Sequence, residues 1–278
     1  MTLSERATGT LQLALTRAVS RSLGECEVTF FERQPIDIAT AEAQHSTYCH
    51  VLRRHGLHVL RLPAEHALPD AVFVEDPVLV LDEVALALRA GAASRRGEVD
   101  SMLPVLERVR TVERMRAPAT ADGGDIVQID HTLFIGRSTR TNDAGIRQIE
   151  EIVRPHGYRV VPVAMQGCLH LKSGCTWTGD RVLLNPDRVD ATPFQEWRPI
   201  HVPETEPDAA DVLRLATRVL IPASFPLTAA LLRHEGYAVE PIDVSELQKA
   251  EAGVTCLSVI FDVETLPAGL EPLLLTED

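Results

Sequence analysis

The chain of 278 residues is long enough for one large domain or two small ones, and its 45% hydrophobic and 24% charged residues suit a soluble globular protein with a substantial core. Twenty-seven basic residues against 40 acidic ones leave a net charge of −13. That charge repels phosphate backbones and anionic bilayers, which argues against nucleic acid and membrane as partners, and it mildly favours cationic ligands.

The opening "MTLSERATGT" lacks a basic segment followed by a long apolar one, so no signal peptide is expected. "LQLALTRAVS" is short and broken by Arg17, and no stretch reaches the roughly 20 apolar residues of a bilayer span. In chain order the patterning then predicts a strand at 27–31 ("EVTFF"), a helix over 39–55, a strand at 56–63, strands within 71–88 and a helix over 97–109. A strand region at 125–136, a helix over 142–156, strands at 159–163 and 181–185, and a helix over 208–217 follow. The series ends with a strand at 218–222, a helix over 226–236 and a strand at 255–261. The 142–156 helix is the clearest, with capping candidates Thr141 and Asn142, apolar Ile146, Ile149 and Val153, and a Pro155–Gly157 stop.

No low-complexity linker interrupts this series, so residues 1–278 are expected to form one domain. Polar-tipped apolar segments ("VFVED", "GGDIV", "CLHLKSGC", "RVLIP", "VTCLS") begin about 40–50 residues apart, as repeated β-rich units about an axis would. On periodicity alone a doubly wound α/β fold is an equal contender. Five cysteines (Cys26, Cys49, Cys168, Cys175, Cys256) form an odd set without a CxxC pair. They argue against a disulfide framework or a zinc ribbon and point to the cytoplasm.

Several segments carry chemistry-bearing side chains, each with a plain alternative. "PDAVFVEDP" sets Asp70, Glu75 and Asp76 around an apolar strand: a solvated acidic turn, or carboxylates pairing with a planar guanidinium. "ADGGDIV" offers Asp122 and a glycine pair, which is either a simple turn or a close backbone approach. His170 in "CLHLKSGCTW" is a structural histidine or a general acid/base. Arg95 and Arg140 sit in loop-like segments, as surface charges or as a carboxylate clamp. Cys256 in "GVTCLSVIF" is a small core residue or a nucleophile at a strand end.

Taken in order, "LPDAVFVEDPV", "GAASRRGE", "DGGDI", "FIGRSTRTN", "LHLKSG" and "GVTCLS" resemble the dimethylarginine dimethylaminohydrolase family of the guanidino-group-modifying (pentein) superfamily, over residues 69 to 261. The resemblance implies a single-domain, five-bladed, pseudo-symmetric α/β propeller with a substrate channel on its axis. It implies hydrolysis of mono- and dimethylarginine to citrulline and an alkylamine through a cysteine thiouronium, with no metal or organic cofactor. By position, Cys256 resembles the nucleophile, His170 the acid/base and Asp122 its carboxylate partner. Asp76, with Glu75, resembles the guanidinium holder, Asp70 the α-amino contact, and Arg95 and Arg140 the α-carboxylate contacts. Glu251 stands where the family often has Asp, one methylene shorter, and is grouped with the substrate contacts. No lid residue is carried over from "TRAVSRSLGECE", and a homodimer is compatible with the resemblance. The rivals are an arginine deiminase or other guanidine hydrolase, a non-catalytic arginine-binding module and, last, a zinc protein using Cys256 and His170.

Overall fold

The computed structural model describes residues 10–276, so most of the "MTLSERATGT" segment lies outside the described residues. The simplest element is a β-hairpin: β6 (Ile126–Ile129) and β7 (Thr132–Arg137) are joined by two residues, with Asp130 at φ 50°. An acidic side chain tolerates that left-handed backbone in a tight turn. β7 then pairs in parallel with β8 (Arg159–Ala164) through the crossover helix α3 (Asp143–Val153). The Asn142 side chain caps α3 by accepting the Gly145 N–H at 2.7 Å, and Gly157 at φ 86° closes the turn beyond it.

This antiparallel-then-parallel unit recurs five times. β3 (Val78–Val80), β4 (Val84–Ala87) and β5 (Thr111–Arg114) form one sheet, with α2 (Leu103–Val109) as crossover. β9 (Cys175–Trp177), β10 (Val182–Leu184) and β11 (Ile200–His201) form another, preceded by the short helix α4 (Leu171–Gly174). β12 (Leu213–Leu215), β13 (Arg218–Pro222) and β14 (Ala238–Ile242) form a third, crossed by α5 (Pro226–His234) and followed by α6 (Ser245–Gln248). The remaining sheet joins the two ends of the chain. β1 (Leu11–Arg17) pairs in parallel with β2 (His58–Leu62) through α1 (Ile38–Arg54), and in antiparallel fashion with β15 (Val259–Val263). The result is the five-bladed α/β propeller expected from the resemblance, not a doubly wound sheet.

Between neighbouring blades lies an apolar cluster, so the core is a ring of five parts. Strand alternation feeds both neighbours: Leu13 and Leu15 face Val78 and Leu106 of the β3–β5 blade, while Ala14 packs with Leu220 and Ile242 of the β12–β14 blade. Phe134 meets Phe194 with ring centroids 4.6 Å apart in another cluster. Each fully buried Leu, Ile or Phe in this ring contributes roughly 1.5–3 kcal/mol.

Three expectations fail here. Residues 27–31 form no strand but run as a loop, 208–217 form turns and β12 instead of a helix, and the apolar run 72–74 lies among turns before β3 instead of in a strand. No helix among the described residues is long and apolar enough to cross a membrane.

Candidate active site

The first strand of each blade, β3, β6, β9, β12 and β15, is preceded by a polar turn, and these turns converge. They carry Glu75 and Asp76, Asp122 and Asp125, His170 and Lys172, Asp211, and Thr255 and Cys256 in turn. Contacts tie four of these turns together: Lys172 pairs with Glu75, Glu75 accepts from the Thr255 hydroxyl at 2.8 Å, and Asp122 meets His170. From the other side, the inner strands surround a funnel of about 280 Å³ whose lining includes Glu75, Lys172 and Thr255.

His170 is 4% exposed, with Nε2 3.1 Å from Asp122 Oδ2 and Nδ1 3.8 Å from Asp76 Oδ1. Burial disfavours the imidazolium, but the charge of Asp76, the hydrogen bond to Asp122 and the charge of Asp125 outweigh it and push the pKa up to about 9. Asp122, fully buried, also accepts the Gly91 N–H at 2.9 Å. Burial pulls its pKa upward, yet the bond to and charge of His170, with Arg95, hold it below the ordinary value. Asp125 fixes the neighbouring backbone by accepting the Leu171 N–H at 3.0 Å and the hydroxyls of Ser138 and Thr141. The glycine pair is there for close approach, since a Cβ on Gly124 would lie 2.6 Å from His170 Nδ1 and one on Gly123 2.1 Å from the Glu75 carbonyl.

Asp76 accepts from Gly124 N at 3.2 Å and from Arg95 Nη1 at 2.7 Å. Arg95 is itself buried and gripped on its other edge by Glu98, at 2.9 Å through both Nε and Nη2. This two-point pairing satisfies the guanidinium's fork geometry and orients Asp76. Among the described residues, Asp76, Asp122 and His170 are the group whose ligand atoms lie within 4.8 Å of one another and could hold a metal ion; Cys256 is not in it.

Cys256 lies in the turn just before β15 and is 9% exposed. Burial raises its thiol pKa well above the ordinary value, and the charges of Asp211, Asp76 and Glu75 add to this, while a hydrogen bond from the Gly253 backbone works the other way. The turn is held from both sides. Tyr48 on α1 places its hydroxyl 2.9 Å from the Val254 carbonyl and 2.7 Å from Ser258 Oγ, and Asp211 holds Thr255.

The remaining expected contacts lie around the loop at 27–31. Asp70 accepts the Glu27 N–H with both oxygens at 3.1 Å. Arg140 donates to Thr29 Oγ1 at 3.2 Å, while its buried Nη1, 3.9 Å from Asp122, has no hydrogen-bond partner among the described residues. Glu251 is engaged elsewhere than expected: its carboxylate accepts the backbone N–H groups of Thr29, Phe30 and Phe31. Sequence reading assigned no role to Lys172, Glu98, Thr255, Tyr48 or Asp211. Lys172, Glu98 and Thr255 stood inside the quoted motifs, and only their partners revealed them.

A family profile described as "N,N dimethylarginine dimethylhydrolase, eukaryotic" matches residues 29–173. The N(G),N(G)-dimethylarginine dimethylaminohydrolase of Pseudomonas aeruginosa is 36% identical over 250 residues, covering 89% of this chain and 98% of that one. That of Streptomyces coelicolor is 39% identical over 247 residues, covering 88% and 95%. A structure of the Pseudomonas aeruginosa enzyme, a cysteine-to-serine mutant complexed with citrulline, superposes with a TM-score of 0.87 at 35% identity over 90% of this chain and 99% of that one. This chain therefore belongs to the N(G),N(G)-dimethylarginine dimethylaminohydrolase family.

Proposed function

We propose that this protein hydrolyses Nω-methylated arginine to citrulline and an alkylamine, with Cys256 as nucleophile. The observation that carries the reading is the convergence of Cys256, the His170–Asp122 pair and the acids Asp76 and Glu75 from separate blades. Family membership and the citrulline complex of the Pseudomonas aeruginosa enzyme support the substrate class.

A guanidinium carbon is resonance-stabilised and weakly electrophilic, so it calls for a thiolate. In the free site burial, with the charges of Asp76 and Glu75, keeps Cys256 as a thiol. A substrate cation beside Asp76 and Glu75 offsets their charge, lowers the thiol pKa so that its proton passes to solvent, and holds the carbon within reach of sulfur. The thiolate attacks that carbon to give a tetrahedral adduct. His170, charged at neutral pH, gives its proton to the departing alkylamine from Nδ1, since Nε2 is bound to Asp122. The C–N bond breaks and leaves a thiouronium on Cys256. The now neutral His170 takes a proton from water and hydroxide adds; the C–S bond then breaks to return the thiolate while the added hydroxyl loses its proton to solvent, giving citrulline.

Arg140, with its spare buried N–H, is the stronger α-carboxylate contact. Arg95 retains one N–H beyond its bonds to Asp76, Glu98 and the Asp70 carbonyl. Asp70 takes the α-amino group by exchanging the Glu27 amide for it, and Glu251 acts on the substrate through the loop it holds. The five blades work as one catalytic domain, and five unpaired cysteines support a cytoplasmic setting. The test is product identification with mono- and asymmetric dimethylarginine. Citrulline and alkylamine from wild type but not from Cys256→Ser support the reading. Faster ammonia release from arginine selects a deiminase, and binding without turnover selects a binding module.

A further inference from the structure

Four of the five converging turns carry groups with a part in the proposed reaction; the turn before β12 carries Asp211. It is 5% exposed and holds Thr255 at two points, accepting the Thr255 N–H at Oδ1 (3.0 Å) with Oδ2 3.1 Å from Thr255 Oγ1. The chain comes so close here that a Cβ on Gly253 would lie 2.0–2.5 Å from the Asp211 carboxyl group. We propose that Asp211 is a positioning residue that stands protonated in the resting enzyme, fixing Cys256 through Thr255 without setting another negative charge beside the sulfur. The inference deepens the proposed function and rests on Cys256 being the nucleophile.

One hydroxyl proton faces two acids. Thr255 Oγ1 lies 2.8 Å from Glu75 Oε2 and 3.1 Å from Asp211 Oδ2, yet a hydroxyl has one proton to give. Both contacts are hydrogen bonds only when one of the two acids carries a proton and donates it to Oγ1. Glu75 has the Lys172 ammonium on its other oxygen, which favours the carboxylate. Asp211 has no ion-pair partner among the described residues, so the proton belongs on Asp211. Burial first, and the charge of Glu75 second, push its pKa up to about 7 against the help of the Thr255 bonds and of Lys172.

The groups facing Asp211 come from every side. Glu75, Lys172 and Cys256 approach from the other turns. Across an adjoining cavity of about 60 Å³ lie Glu251 and the paired Arg188 and Asp208. As pH rises through about 7, Asp211 ionises, its O–H bond to Thr255 is lost, and its charge opposes the Cys256 thiolate.

The test compares wild type with Asp211→Asn, whose amide keeps both Thr255 contacts without a titrating charge. Iodoacetamide labelling of Cys256, followed by peptide mass spectrometry across neutral and alkaline pH, reads the thiol directly. The midpoint for Asp211→Asn falls about one pH unit below that of wild type. Melting temperature gives a second readout. The raised folded-state pKa means wild-type stability from Asp211 is full below the ordinary carboxylate value and is lost as pH rises through about 7. Asp211→Asn therefore gains on wild type over that interval. Asp211→Ala, which releases Thr255, lowers kcat more than it raises KM, and Asp211→Asn restores part of that loss. A labelled Cys256 whose midpoint does not move, or moves upward, overturns this inference alone. A Cys256 that cannot be labelled, or Cys256→Ser that still turns over, brings down the nucleophile assignment and this inference with it.

Discussion

The surroundings of His170 and of Cys256 share one acid, Asp76, with opposite results. Asp76 raises the pKa of both groups. For His170 that means a proton held at neutral pH and ready for delivery. For Cys256 it means a sulfur kept as thiol until a cation arrives. In the proposed mechanism one negative site therefore prepares the acid and restrains the nucleophile; a guanidinium ligand relieves the restraint, while the bond to Asp122 keeps the proton on His170. The difference lies in partners: His170 has a 3.1 Å bond to Asp122, whereas burial and the charges of Asp76 and Glu75 oppose the Cys256 thiolate, with Asp211 joining them once it ionises.

The largest break in this comparison is Cys256→Ser, which removes the nucleophile and lowers kcat on the order of 10⁴-fold or more while methylarginine still binds, as steady-state kinetics and calorimetry would read. His170→Gln removes the acid and costs about 10²–10⁴-fold in kcat, least for substrates with good leaving groups. Asp122→Asn sharpens the comparison by weakening one partner of His170. Turnover in wild type should fall as pH rises through about 9, because His170 must be protonated to expel the amine. In Asp122→Asn that limb of the pH–kcat profile moves to lower pH. Stability carries the same sign. The raised pKa of His170 contributes stability that is full below the ordinary imidazole value and is lost as pH rises from there through about 9.

Smaller effects test the scaffold. Gly124→Ala puts a methyl group 2.6 Å from His170 Nδ1 and should cost about 1–3 kcal/mol, with kcat falling, by thermal melts and kinetics together. Asn142→Ala removes the α3 cap far from the chemistry and should cost about 1 kcal/mol, with kcat at the wild-type level.

Much of this was legible in the sequence where local rules dominate. The α3 cap and stop, the 125–136 strand region and four of the five polar turns, all but the one that carries Asp211, read directly from side-chain pattern. β1 did not, because its last five residues are all buried and the in–out alternation of a half-exposed strand disappears. Residues 27–31 have strand-forming side chains, but Glu251, more than 200 residues away, gathers their amides into a loop. The stretch 208–217 looks helical from Ala209, Ala210 and Leu213, but Thr176 binds the Ala210 carbonyl at 2.6 Å and β12 pairs with β13. That misreading hid Asp211, since a residue inside a helix has no reason to meet the nucleophile's turn.

The most direct measurement is an ultraviolet thiolate titration, wild type minus Cys256→Ser, with and without a saturating guanidinium ligand that is not turned over. Without ligand, the Cys256 thiolate should appear only well above the ordinary cysteine range; with ligand, its midpoint should drop by at least one unit. A thiolate already formed at neutral pH in the free enzyme, or a midpoint indifferent to the ligand, would contradict the account.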